Sequence, residues 1–309
     1  MLEPAVIFLR LVQFAAAMIL FGSSLCLIYA LPRQGVGSGV RLGWSRPLLG
    51  WSAAVLLVAS LAGLVAQTSV LAGSLAEGLK LSSLSAVVTT MSLGLSALVR
   101  AAAAAMALSA VLILAPGRPL LWICTGLGAV ISASFAWMGH GAATEGPGGS
   151  LHLVADILHA LAAGVWIGAL VVFFGLLRRA SDDVAADHVL HRALHGFAGV
   201  GSGLVAVLVA TGLVNSWFLV GPSRLTGLWT TPYGQLLVLK LLLFVVMLGL
   251  AAANRFHLTP ALGVALDDNR PREPARAALR RSLFIETTFS LVVLGLIAWL
   301  GMLAPVSAQ

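Results

Sequence analysis

Eight long apolar segments divide the chain, and shorter polar loops separate them. A helix needs about 20 mostly apolar residues to cross a hydrocarbon core that is roughly 30 Å thick. The apolar residues run continuously instead of alternating, which disfavours a β-barrel. The pattern therefore predicts an all-α, polytopic bundle that forms a single transmembrane domain over residues 1–309. The expected helices are 5–31, 48–71, 87–114, 120–138, 151–177, 196–220, 233–253 and 282–303.

Composition supports this class and excludes others. Of 309 residues, 60% are hydrophobic and 9% are charged, and the mean hydropathy is +1.02. An ordinary soluble protein is about 45–50% apolar and about 25% charged, so a soluble enzyme or nucleic-acid-binding domain is excluded. Cys26 and Cys124 both lie inside apolar segments, which leaves no disulfide framework. The first segment contains Arg10 and is too long for a signal-peptide core, so we expect a retained helix.

Basic residues in the loops predict the orientation of the chain. Most loop arginines follow the first, third, fifth and seventh segments, whereas the loops on the other side carry only Lys80 and Arg224. Short cytoplasmic loops are enriched in Lys and Arg, so both termini are expected to face the periplasm. The net charge of +7 is then mostly a topology signal in a lipid bilayer, and it requires no nucleic acid.

Polar side chains within the apolar segments are candidates for function, because charge is costly inside a membrane. His152, Asp156 and His159 follow at i, i+4 and i+7, which places them on one helical face. A short glycine-rich turn brings His140 close, with Met138 two residues before it. Imidazole and thioether groups suit copper. The spacing therefore predicts a copper site of these three histidines, with Asp156 and Met138 as further ligands or Asp156 orienting a histidine.

A second interpretation of the same residues needs no metal. In it, His152 caps its helix, His159 hydrogen-bonds a neighbouring helix, and Asp156 pairs with Lys240. Trp166 continues the histidine face inward, at a depth that an interfacial belt tryptophan would not occupy.

Two further charged positions have two interpretations each. Arg100 lies near the middle of the third segment, and Glu286 lies one turn inside the last. They are expected to form a buried ion pair, or else to relay an ion or a proton. Two glycine pairs, 164–168 and 199–203, have the spacing that permits close helix packing.

At this point the chain resembles a known family. The run His152-x3-Asp156-x2-His159-x6-Trp166-x-Gly168 is similar to the signature of the copper resistance protein D (CopD) family. Later segments agree with it: Thr211-Gly212-x2-Asn215, Tyr233-Gly234-x5-Lys240, Asn254-Arg255 and Arg281-x4-Glu286. The resemblance implies a bacterial inner-membrane protein of copper homeostasis that moves copper from periplasm to cytoplasm. It also implies a periplasmic copper-binding partner of the CopC type.

These arguments predict a copper-handling membrane transporter and not an enzyme. Two alternatives stay open from the sequence. One is a haem-binding electron carrier of cytochrome b type, which needs two histidines facing each other across the bundle. The other is a structural membrane subunit whose polar residues only hold helices together.

Overall fold

The computed structural model describes residues 3–30, 43–139, 142, 144, 146–179, 184–268 and 270–308. Across these ranges the regular structure is helical and contains no strand. Eight of the described helical stretches are long and apolar enough to cross a membrane. The predicted all-α, polytopic bundle is confirmed.

The first half of the chain forms one layer of packed helices. Four long helices pack against one another: α1, α2, α5 and α6. Close packing is possible because α5 presents small residues, Ala103, Ala104 and Ala107, to the core. The bounds are α1 Glu3–Ala30, α2 Ser45–Ala72, α3 Leu75–Gly78, α4 Leu81–Thr90, α5 Ser92–Ile113 and α6 Arg118–Ser134. A 3-10 turn, Phe135–Trp137, follows α6.

The second half adds a row of helices in the spatial order α8, α7, α12, α10. Its core includes Trp166, Leu190 and Leu283. The bounds are α7 Gly149–Arg179, α8 Val184–Leu219, α9 Gly227–Thr230, α10 Pro232–Ala253, α11 Thr259–Asp267 and α12 Glu273–Leu300, with a π-helical turn, Asn254–Leu258, between α10 and α11.

Helix α1 joins the two halves by direct backbone contact with α7. A Cβ atom on Gly22 would collide with the backbone of Gly164, and one on Gly168 would collide with that of Gly22. Ser23 Oγ donates a hydrogen bond to the Gly168 carbonyl at 3.2 Å. The predicted packing role of the 164–168 glycine pair is confirmed.

The second glycine pair does not have the expected role within this chain. In the described residues, nothing lies within 4 Å of a Cβ added to Gly199 or Gly203. Both glycines lie on an exposed face of α8, since this helix packs mainly on α7 and α11. That prediction was therefore wrong.

Several helix boundaries differ from those expected. The segment predicted as one helix over 87–114 is broken at Met91, whose backbone is extended (φ −121°, ψ 132°). Gly94 packs so closely on the Val87 carbonyl that a side chain there would collide with it. The polar stretches expected as loops after α7 and α10 are partly helical, since α8 begins at Val184 and α11 covers Thr259–Asp267. The two stretches are joined where the buried Asp187 on α8 accepts a 2.7 Å hydrogen bond from Arg272.

The start of α1 and the end of α12 lie at one end of the bundle, which we call the terminal end. Arg224 Nη1 donates to the carbonyls of Val306 and Ser307 at 3.2 and 2.8 Å. Arg10, two turns into α1, lies beside Gly301 at the end of α12. The assignment of this end to the periplasm stays a prediction.

Candidate functional site

A row of polar side chains on α7 faces α8. The His152 ring stacks on Phe218 with ring centroids 4.8 Å apart, and Asn215 Nδ2 donates to Asp156 Oδ1 at 3.4 Å. His159 Nδ1 lies 2.9 Å from Thr211 Oγ1. The structure confirms that the three α7 side chains share one face.

The bond between His159 and Thr211 bears on which nitrogen of the imidazole carries the proton. The Thr211 hydroxyl has a single proton, and its oxygen lies 2.6 Å from the Val207 carbonyl and 2.9 Å from Nδ1 of His159. If the hydroxyl donates to Val207, it can only accept from His159. In that arrangement Nδ1 of His159 is protonated and a lone pair remains on Nε2, as in a metal-ligating histidine whose other nitrogen is held by a hydrogen bond. The ring also makes a hydrogen bond with the backbone of Leu208.

The carboxylate of Asp156 has a cation nearby. Lys240 on α10 interacts electrostatically with Asp156 and with His159. Tyr233, which opens the same helix, is buried and also lies in the field of Asp156. Among the described residues, however, Asp156 and Lys240 make no ion pair within 4 Å, so the direct pair of the second interpretation is not formed. A site where a bound cation shares the carboxylate stays a prediction.

Deeper in the bundle, Glu286 is bound by two neutral donors. Trp166 Nε1 donates to its Oε1 atom at 2.9 Å, and Asn254 Nδ2 donates to its Oε2 atom at 3.0 Å. Glu286 is 2% exposed and the other two side chains are also buried. Asn254 begins the π-helical turn after α10, and such turns often occur at functional sites.

The predicted ion pair between Arg100 and Glu286 is wrong. Arg100 lies on α5 and donates to the Ser134 carbonyl and to Met138 Sδ, at 3.3 and 3.1 Å. Its helix packs on α2, α4 and α6, whereas the helix of Glu286 packs on α1, α7, α10 and α11. The two charges therefore belong to different halves of the protein.

The proposed copper ligands do not all meet at one point. Met138 contacts Arg100 in the first half, and His140 lies outside the described residues. Nδ1 of His152 lies 2.6 Å from Thr144 Oγ1. In the described part of the chain, no group of three or more His, Cys, Asp or Glu side chains could hold a metal ion. A complete site including His140 stays a prediction.

Sequence reasoning gave no role to Asn254 or to the hydroxyl of Thr211 beyond their place in a motif. A usable signal was present for the α8 residues. The α8 partners of the α7 side chains are Phe218, Asn215 and Thr211, whose numbers fall as the numbers along α7 rise. The intervals between residues are nearly the same on both helices, as expected for antiparallel neighbours. No comparable local signal links Asn254 to Glu286, which are 32 residues apart.

Comparisons with known proteins match most of the chain. A family model described as copper resistance protein D-like, N-terminal domain, matches residues 1–150, and one described as copper resistance protein D matches residues 191–300. "Copper resistance protein D" of Pseudomonas syringae pv. tomato is 38% identical over 307 residues, which cover 98% of this chain and 97% of that protein.

Two more distant relatives match parts of the chain. "Inner membrane protein YebZ" of Escherichia coli (strain K12) is 30% identical over 128 residues, 41% of this chain and 42% of that protein. "Copper transport protein CutJ" of Bacillus subtilis (strain 168) is 30% identical over 162 residues, 52% of this chain and 26% of that protein. No solved structure matches the chain.

Proposed function

Because the chain belongs to the copper resistance protein D family and is a multi-pass inner-membrane protein, we propose that it carries copper across that membrane. The proposed route is the polar row between α7, α8, α10 and α12. The observation that carries the proposal is the hydrogen bond between His159 and Thr211 inside the membrane-spanning bundle. We propose that His159 donates it from Nδ1, so that Nε2 can bind copper.

The spacing of the row suits a cargo ion that must bind and then leave. From Asp156 to Trp166 the row follows α7 for about 15 Å, at 1.5 Å per residue. His152, Asp156 and His159 are separated by one turn each, so they offer ligands in succession. Conduction requires sites that hold an ion well enough to enter and weakly enough to depart. Glu286 then supplies a carboxylate beyond Trp166 for a positively charged cargo.

Entry of copper is proposed at the terminal end. His152 lies at this end of α7, and the predicted ligands His140 and Met138 come just before that helix. The basic loops lie at the opposite end, which supports a periplasmic terminal end. A periplasmic copper-binding protein of the CopC type would then deliver copper to this face.

The test is a copper titration of purified protein in detergent, with copper supplied in each oxidation state against a competing chelator. Replacing His159 by alanine should weaken binding at the row by at least tenfold and slow copper uptake into proteoliposomes. The matched control is His257→Ala, which removes an exposed histidine from the π-helical turn. If His159→Ala folds and keeps wild-type affinity and uptake, the proposed row is wrong.

The haem alternative is less well supported by the geometry. Within the described residues, His159 faces Thr211 on the neighbouring helix, and His152 faces Phe218. A haem bound by His152 or His159 needs one further imidazole across the bundle, and the candidate for it, His140, lies outside the described residues. A visible spectrum of the purified protein with a Soret band would nevertheless favour the electron carrier, and copper content without that band would favour the transporter.

A further inference from the structure

A second polar cluster lies in the first half of the protein, apart from the α7 row. Helices α1, α2 and α5 meet there around a small cavity near the terminal end, which we call the arginine pocket. Its polar lining consists of Arg10, Gln13, Ser60, Gln67, Arg100 and Met138.

Arg100 is held in this pocket entirely by uncharged groups. Its side chain is 1% exposed. The Nη1 atom donates to the carbonyl and the hydroxyl of Ser134, at 3.3 and 3.2 Å, and Nη2 donates to Met138 Sδ. The guanidinium also lies over the Phe135 ring, 4.9 Å from its centroid. Among the described residues, the Nε atom has no hydrogen-bond partner.

Arg10 brings a second positive charge to the same pocket. It is 6% exposed, and its charge acts on Arg100. None of the described residues that line the pocket is acidic. The end of α12 lies beside Arg10 at Gly301, but a helix terminus supplies only about half of a negative charge.

Among the described residues, Arg10 and Arg100 have no anion beside them, which is unfavourable in a membrane protein because buried charges are normally paired. The pocket also has donors without partners. Among the described residues, these are the Nε–H of Arg100 and the hydroxyl of Ser60, which is buried on α2. One acceptor of the pocket, Oε1 of Gln13, also has no partner there. Donors and positive charge converge from three helices, which is the chemistry of an anion site.

The size of the cavity limits which anion can bind. It has room for little more than one water-sized particle, so a phosphate or a lipid headgroup does not fit. We infer that the arginine pocket binds a single small monovalent anion, chloride, which neutralises Arg10 and Arg100 and ties α1, α2 and α5 together. This site lies apart from the α7 row, and the two share no residue except Met138, a predicted copper ligand that contacts Arg100.

Radioactive chloride binding to the copper-free, full-length protein in lipid nanodiscs tests this inference. Equilibrium dialysis at constant ionic strength, with gluconate as the replacing anion, should give one saturable chloride per chain. Arg100→Gln and Arg10→Gln should each weaken binding by tenfold or more, since hydrogen bonds to charged groups are the strong ones. Ser60→Ala removes one neutral donor and should weaken binding by roughly two- to tenfold.

Arg46→Gln is the matched control, because Arg46 donates to the carbonyls of Val111 and Leu112 at the opposite end of the bundle. It should bind chloride as the wild type does. Should Arg100→Gln fail to fold, Arg10→Gln and Ser60→Ala decide the question, together with the chloride-dependent rise in melting temperature that the wild type should show. Absence of saturable chloride binding to the wild type, or unchanged affinity in the folded variants, overturns the inference.

Discussion

Replacing Thr211 by valine tests how the row prepares His159 for copper. Valine has nearly the shape of threonine, but it cannot accept the hydrogen bond from Nδ1, which is 2.9 Å long in the wild type. Thr211 is buried, so water cannot easily replace the lost acceptor. An unsatisfied buried N–H group costs about 1–3 kcal/mol. The imidazole can avoid this cost by moving its proton to Nε2, which removes the lone pair that copper needs.

The expected result is weaker copper binding in a folded protein. Losing the group that orients a metal-ligating histidine typically lowers affinity by about 10–100-fold, or roughly 1.4–2.7 kcal/mol. Thr211→Ser keeps the hydroxyl and should remain within about threefold of the wild type. The affinities come from chelator competition on purified proteins that elute as single peaks in size-exclusion chromatography. Equal affinities for the valine and serine variants would refute the tautomer argument.

Three further predictions concern the carboxylate, the orientation and the helix packing. Glu286→Gln should fold normally, because the amide oxygen can accept from Trp166 and the amide nitrogen can donate to Oδ1 of Asn254 once the Asn254 amide turns over. It should nevertheless slow copper uptake into proteoliposomes by about tenfold or more through loss of the charge. Wild-type uptake would remove Glu286 from the route. In spheroplasts, an impermeant thiol reagent should label Pro147→Cys but not Asp268→Cys, and the reverse pattern would invert the topology. Gly168→Leu should destabilise the protein by at least about 1–3 kcal/mol in thermal unfolding, since the backbone of α1 lies in direct contact with Gly168. Gly199→Leu should change stability by less than about 0.5 kcal/mol, because nothing described lies beside this glycine.

Features with a local cause could be predicted from the sequence. The eight spans follow from the length of continuous apolar runs, and the shared face of His152, Asp156 and His159 follows from the helical period. The contact between α7 and α8 is nearly as local, because short connections make consecutive helices antiparallel neighbours. The family resemblance then selected copper among the ions that imidazole and carboxylate groups can bind. Spacing alone could not show which ring nitrogen of His159 carries the proton, since that depends on the direction in which the Thr211 hydroxyl points.

Pairing charged residues by sign alone failed for Arg100 and Glu286, and the reason bears on function. Both charges are buried, but each is surrounded by neutral partners on helices that are distant in sequence, and no local pattern encodes this. Had they paired, each would have cancelled the other, and neither would attract an ion. Kept apart in separate halves, the carboxylate remains available to a passing cation. The same separation leaves Arg100 in need of an anion. The arrangement that sequence reasoning missed is therefore what allows both proposed ion sites to exist.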